Sequence, residues 1–201
     1  MANYKKPYEE DCCAADHENH KKRDFPVVIF NCGNGSGVTL PVTGAVACAG
    51  NQAVIGSWGA PTLTIGTVNL DTRGLDHPSI KIDFSSLVNF RADSDFSGYS
   101  LRIIFQLSRS CEHENKVPLA TWVYQNEISV NLGIPTPDLS LVDIDVESKE
   151  PFNFVWCDCH DCPGCCVYLV EIIDISAYNI ESASITNVGI SSIASGFPDR
   201  D

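Results

Sequence analysis

From Phe25 onward, short apolar runs alternate with turn-forming residues at intervals of roughly ten, and no segment holds a helical period over three turns. That rhythm confines the chain to β architecture. The clearest stretch is Leu101, Ile103, Phe105 and Leu107, with Ser100, Arg102, Gln106 and Ser108 on the opposite side. Successive strand side chains point to opposite faces, so this segment has one core face and one polar face. Further strands are expected at Phe25–Cys32, Val38–Val42, Ala45–Ala49, Thr62–Leu70, Ser79–Phe84, Ala120–Tyr124, Glu127–Asn131, Leu139–Val146, Pro151–Cys157, Cys166–Ile175 and Ile185–Ile193. Many short strands and no helix predict an all-β, jelly-roll-like β-sandwich.

A chain of 201 residues that is 44% hydrophobic can fill one such core, and a second full domain would be cramped. Residues 25–201 are therefore read as a single β-sandwich domain. Residues 1–24 are polar, carry both charges and offer little to a core. They read as a flexible N-terminal connector arm.

Acidic residues outnumber basic ones by 26 to 13, a formal charge of -13. A nucleic-acid surface needs clustered Lys and Arg to neutralise phosphates, so this balance argues against nucleic acid as a partner. No apolar run approaches the length of about 18 residues that a membrane helix needs, which argues against insertion. The first 24 residues lack the apolar stretch of a signal peptide. Ten cysteines are nevertheless many for a reduced cytosolic protein. Both facts fit a protein made in the cytoplasm and exposed to air when its cell lyses.

The cysteines are Cys12, Cys13, Cys32, Cys48, Cys111, Cys157, Cys159, Cys162, Cys165 and Cys166. Adjacent Cα atoms lie about 3.8 Å apart, whereas a relaxed disulfide prefers about 4.4–6.8 Å. Cys12 and Cys13 thus pair poorly with each other, as do Cys165 and Cys166. The stretch from Cys13 to Phe25 can extend roughly 40 Å, enough to carry the twin thiols onto a neighbouring molecule or back over their own domain. In the segment Cys157–Cys166, Pro163-Gly164 suits a type II turn that would bring Cys162 and Cys165 together. The same segment also has ligand-like spacing for zinc, with Cys157, Cys159, His160, Cys162 and Cys165 as donors. Disulfides, a metal site and free thiols all stay open at this point.

Other motifs lead nowhere catalytic. Gly33-x-Gly35-x-Gly37 precedes a strand and not a helix, so it reads as a hairpin turn and not a phosphate cradle. Asp93-Ser-Asp95-Phe-Ser97-Gly98 opens like a calcium loop, but the twelfth position, where a bidentate Glu belongs, is Ile104. An acidic turn is the better reading. Trp58, Trp122 and Trp156 are expected in packing roles, and no histidine sits in a triad pattern. The chain is expected to be no enzyme and to need no cofactor.

The segments Phe30–Thr43, Lys81–Ser86, Ile104–Cys111, Phe154–Tyr168 and Ala183–Ala194 resemble a clostridial family known as a domain of unknown function. Its most specific element is the motif CDCxxCPGCC, here Cys157–Cys166. The Cys-Cys arm followed by a cysteine in the first core strand is also similar to subunits of bacterial endospore appendages (Ena-type pili). That resemblance implies a jelly-roll subunit polymerising with copies of itself. It implies Cys12 and Cys13 as the connector pair, Cys32 as the early-strand acceptor, and Cys165 or Cys166 as the late-strand acceptor. Cys48, Cys111, Cys157, Cys159 and Cys162 then remain for other disulfides. The implied product is a disulfide-cross-linked fibre on the spore surface or outside the cell, in contact with other spore-surface proteins. The alternatives are a zinc-binding cysteine-rich module and a non-fibrous spore-coat or exosporium protein.

Overall fold

The computed structural model describes residues 25–42, 53–55, 62–95, 98–112, 114–129, 143–158 and 164–199. Strands β1 (Val27–Cys32), β2 (Asn34–Gly35), β3 (Val38–Leu40) and β4 (Ala53–Ile55) are short. Seven longer ones follow: β5 (Leu63–Asp71), β6 (Leu75–Asp95), β7 (Tyr99–Cys111), β8 (Val117–Ile128), β9 (Asp143–Asp158), β10 (Cys165–Tyr178) and β11 (Ile180–Pro198). No helix occurs among the described residues. Sheet I runs β1-β11-β6-β9, with β3 also on β11. Sheet II runs β2-β5-β10-β7-β8, with β4 also on β10. Every pairing is antiparallel. The fold is an all-β sandwich of two antiparallel sheets, as the alternation predicts.

Alternation fills the core. Leu101, Ile103, Phe105 and Leu107 are all fully buried, opposite Ile80, Ile82, Phe84, Val88 and Phe90 of β6. Aromatic rings tie the sheets together on the β8–β9 side. Trp122 stacks on Phe154 at 3.8 Å, and Phe105 on Phe152 at 4.3 Å between centroids. Tyr124 and Asn126 of β8 donate to the Glu150 carboxylate of β9 at 2.8 and 2.7 Å. Burial first, and then the Glu150 carboxylate, raise the Tyr124 phenol above its usual range.

Two local expectations are corrected. Gly33–Gly37 is not a hairpin, because β1 lies in sheet I, β2 pairs with β5 in sheet II, and β3 returns to sheet I. The chain crosses the sandwich edge here at very close range. A Cβ on Gly33 would run into the Thr67 carbonyl oxygen, and one on Gly35 into that of Val188. The acidic turn expected over Asp93–Gly98 starts later than that, since Asp93–Asp95 pairs with Asp143–Asp145 as the end of β6. The reversal falls later, where Gly98 takes a φ of 79° that only glycine adopts freely.

Candidate functional site

Cysteine placement is the chemistry this sandwich offers. Cys111 and Cys166 lie directly opposite each other on β7 and β10 and are joined by a disulfide, with Cα atoms 4.0 Å apart. Cys166 is 2% exposed, so this bond belongs to the core. Its sulfur is already committed within the molecule, which leaves Cys165 as the candidate late-strand acceptor.

Among the described residues, Cys32, Cys157 and Cys165 are free thiols. Cys32 ends β1, and its neighbours Val28 and Phe30 on the same face are 64% and 60% exposed. Cys157 lies on β9 beside Lys81, in the row that runs through Ile193 to Phe30. Cys32 and Cys157 thus share the outer face of sheet I, three strand spacings apart. At about 4.8 Å per spacing that is roughly 15 Å, far beyond the reach of a mutual disulfide. Cys165 alternates with the buried Cys166 and faces outward from sheet II, on the other side of the sandwich. None of these thiols can bond another within the same molecule.

Cys165 lies opposite Asp71, in a charged setting. Arg73 contacts Asp71 at 2.6 Å and Glu112 at 3.8 Å. The Arg73 guanidinium, hydrogen-bonding Asp71, holds that carboxyl at about 2, below its ordinary 3.8. The Glu112 amide also donates to the Cys165 carbonyl at 3.2 Å, fixing the strand end that carries the thiol.

The zinc reading needs donors on one side of one ion. Cys157 and Cys165 leave opposite faces, so they cannot both ligate a tetrahedral ion with bonds near 2.3 Å. Cys159, His160 and Cys162 lie outside the described residues, as do Cys12, Cys13 and Cys48. No group of three or more metal-type side chains is gathered among the described residues.

One buried ionic site was not legible in the sequence. Glu171, 3% exposed at its side chain, accepts from Lys116 Nζ at 2.8 and 3.0 Å. It also accepts from Ser108 Oγ at 3.1 Å and Thr62 Oγ1 at 3.2 Å. Four donor contacts account for a carboxylate in the interior. Nothing in the spacing of these residues announces the cluster, which a register shift at Val170/Glu171 on β5–β10 accompanies.

Fold and site together define a two-sheet antiparallel sandwich that has, among the described residues, one internal staple and three outward-facing thiols. The chain belongs to the family described as Domain of unknown function (DUF4489), whose model matches residues 27–195. No curated protein matches it. Among solved structures, the chain is similar at 12% identity to a protein in "Structure of infectious bursal disease virus Gx strain". The TM-score is 0.22, and the match covers 93% of this chain and 46% of that one, so the chain spans about half its length.

Proposed function

We infer that this protein is a structural subunit that polymerises with copies of itself into a disulfide-cross-linked fibre, extracellular or on the spore surface. One observation carries the reading. Cys32, Cys157 and Cys165 are free, face outward and lie beyond one another's reach, while the core keeps its own separate staple. Such thiols find sulfur elsewhere, and the resemblance to endospore appendage subunits implies the Cys12-Cys13 pair as its source. Strand order supports the jelly-roll form of the subunit. From β5 to β11 the chain changes sheet at every connection except β7–β8, as in a sandwich wound from two Greek keys. The resemblance to endospore appendage subunits fits the same picture, with Cys32 and Cys165 as acceptors. A charge of -13 on each subunit opposes assembly, and covalent links hold neighbours against that repulsion.

Denaturing electrophoresis with and without reductant, paired with negative-stain microscopy, tests the reading. Fibres and a ladder that collapses to monomer on reduction are expected, and Cys12→Ser/Cys13→Ser should abolish the ladder. Monomer in both lanes, or an undiminished ladder in the double variant, overturns it. Stoichiometric zinc in anaerobically purified protein would favour the metal module instead.

A further inference from the structure

The sandwich presents open sheet edges, and they are not alike. β9, one edge of sheet I, carries Pro151 in mid-strand with Glu147, Lys149 and Glu150 beside it. β8, an edge of sheet II, carries Pro118 and a register shift opposite Leu107/Ser108. Prolines, charges and bulges on an edge are devices that prevent pairing with another molecule. On the other side of sheet II, β5 is covered by β2 at Gly66 and Thr67, and Asn31 Nδ2 caps the Asn69 carbonyl at 2.7 Å.

β1, at the end of sheet I beside the three-residue β3, has none of these protections among the described residues. Its sequence Val-Val-Ile-Phe-Asn-Cys holds no charge and no proline. Its outer face is uncovered among the described residues, with Val28 at 64% and Phe30 at 60% exposure, while Ile29 packs on the core from the other face. Which of its backbone groups are free follows from one hydrogen bond. The Gly33 amide donates to the Ile190 carbonyl at 2.9 Å, in register with the β1–β11 ladder. Bonding alternates along an antiparallel pair, so Val27, Ile29 and Asn31 face β11. Val28, Phe30 and Cys32 turn their N–H and C=O groups to the open edge.

We propose that β1 is a self-recognition edge, pairing antiparallel with β1 of a second copy across a two-fold axis at Phe30. An antiparallel strand pair is self-complementary, as an isologous contact requires. Directly opposed residues share a face, and the free backbone groups sit on even-numbered positions. Three registers that keep most of the strand paired meet both conditions, and the one centred on Asn31 would oppose Val28 to Asn34, which belongs to β2 in sheet II. The one centred on Ile29 would oppose Cys32 to Pro26, which has no N–H to give. The one centred on Phe30 pairs Val28 with Cys32 of the mate, Phe30 with Phe30, and Cys32 with Val28. It makes about six backbone hydrogen bonds and joins both copies of sheet I into one continuous sheet. Each copy carries -13 overall and so repels its mate, and a neutral strand is where two such molecules approach with least repulsion.

Six residues a side are fewer than the 20–30 or so of a standard stable interface. The dimer is therefore reversible, with a Kd on the order of 10–100 µM. It needs no disulfide and is independent of the fibre reading, so the full chain is studied in reductant. Sedimentation from about 1 µM to 1 mM should show monomer passing to dimer. Amide exchange should show protection of Val28, Phe30 and Cys32 only at the high concentration. Phe30→Lys sets two cations face to face at the axis and should weaken the dimer at least tenfold, while Val123→Lys on β8, a residue 49% exposed, should not. Monomer throughout, or a dimer whose new protection lies on β8 or β9, overturns the proposal. The exchange pattern of the parent protein decides this even if the lysine variant misfolds. Cross-linking that appears only without reductant, with no dimer in its presence, would leave the fibre reading standing and remove this one.

Discussion

Replacing both members of the internal staple, Cys111→Ala/Cys166→Ala, should cost about 4 kcal/mol of stability. The bond closes a sequence separation of 55 residues. In the chain-entropy model a loop of that length loses about 14 cal/mol/K from the unfolded ensemble, or about 4 kcal/mol at 25 °C. Removing the Cys166 sulfur, 2% exposed, adds a small packing loss in the same direction. Set against a total of about 5–15 kcal/mol for a typical domain, this is a large fraction. For a chain of this size it corresponds to a fall in Tm of about 8–16 °C. The double variant is the right perturbation, because a single replacement leaves a thiol free to scramble. Urea unfolding followed by tryptophan fluorescence, on parent protein whose disulfide is verified by mass spectrometry, measures the difference. The buried sulfur also predicts that reductant attacks the folded protein only as fast as the sandwich opens. A loss below about 1 kcal/mol would refute the reasoning, since it would mean the unfolded chain gains no freedom when the loop is released.

Other outcomes follow from the same structure. Lys116→Met strands the Glu171 carboxylate and should cost about 2 kcal/mol, less than the 3–5 of a fully buried pair, because Lys116 is 45% exposed; adding Glu171→Gln should recover part of the loss in a double-mutant cycle. Gly33→Ala forces a methyl against the Thr67 carbonyl and the Val68 and Ile190 side chains; about 2–3 kcal/mol of destabilisation in urea titrations is expected. Asp71 should titrate at about 2 by carboxyl NMR and return toward 3.8 in Arg73→Gln. Its folded pKa is depressed, so the stability that Arg73 and Asp71 add is complete above the unfolded value and is lost as pH falls toward 2. Tyr124 has the opposite sign: its raised pKa contributes stability below the unfolded value that is lost as pH climbs past it, and Glu150→Gln should bring the phenol back down in an absorbance titration.

Periodicity made the fold class legible. Leu101, Ile103, Phe105 and Leu107 alternate with polar residues and are all buried in the core. The same period runs through Ile80, Ile82, Phe84, Ser86, Val88, Phe90 and Ala92, well past the Ser79–Phe84 strand expected from the sequence. The polar Ser85-Ser86 step hides it, because Ser86 is buried through a hydrogen bond to the Phe152 carbonyl at 3.4 Å. β11 was harder to read. Ile185 and Ile190 both point inward, although five residues separate them, because the ladder slips between Thr186 and Gly189 around Asn187 at a φ of 51°. A bulge changes which parity faces the core, and no strict alternation rule anticipates where it falls.

The sequence by itself determined the β class, an acidic balance of 26 to 13 and a supply of ten cysteines. Spacing along the chain carries that information, because side-chain direction in a strand depends only on local geometry. Which thiol meets which was decided by tertiary structure alone. Cys111 and Cys166 pair because the register of β7 against β10 sets them opposite each other. Cys32 and Cys157 stay open because three strand spacings separate them, and Cys165 because it faces outward from the other sheet. The unprotected β1 edge is likewise a property of strand order: a neutral apolar hexapeptide is unremarkable in sequence until the fold leaves one side of it without a neighbour.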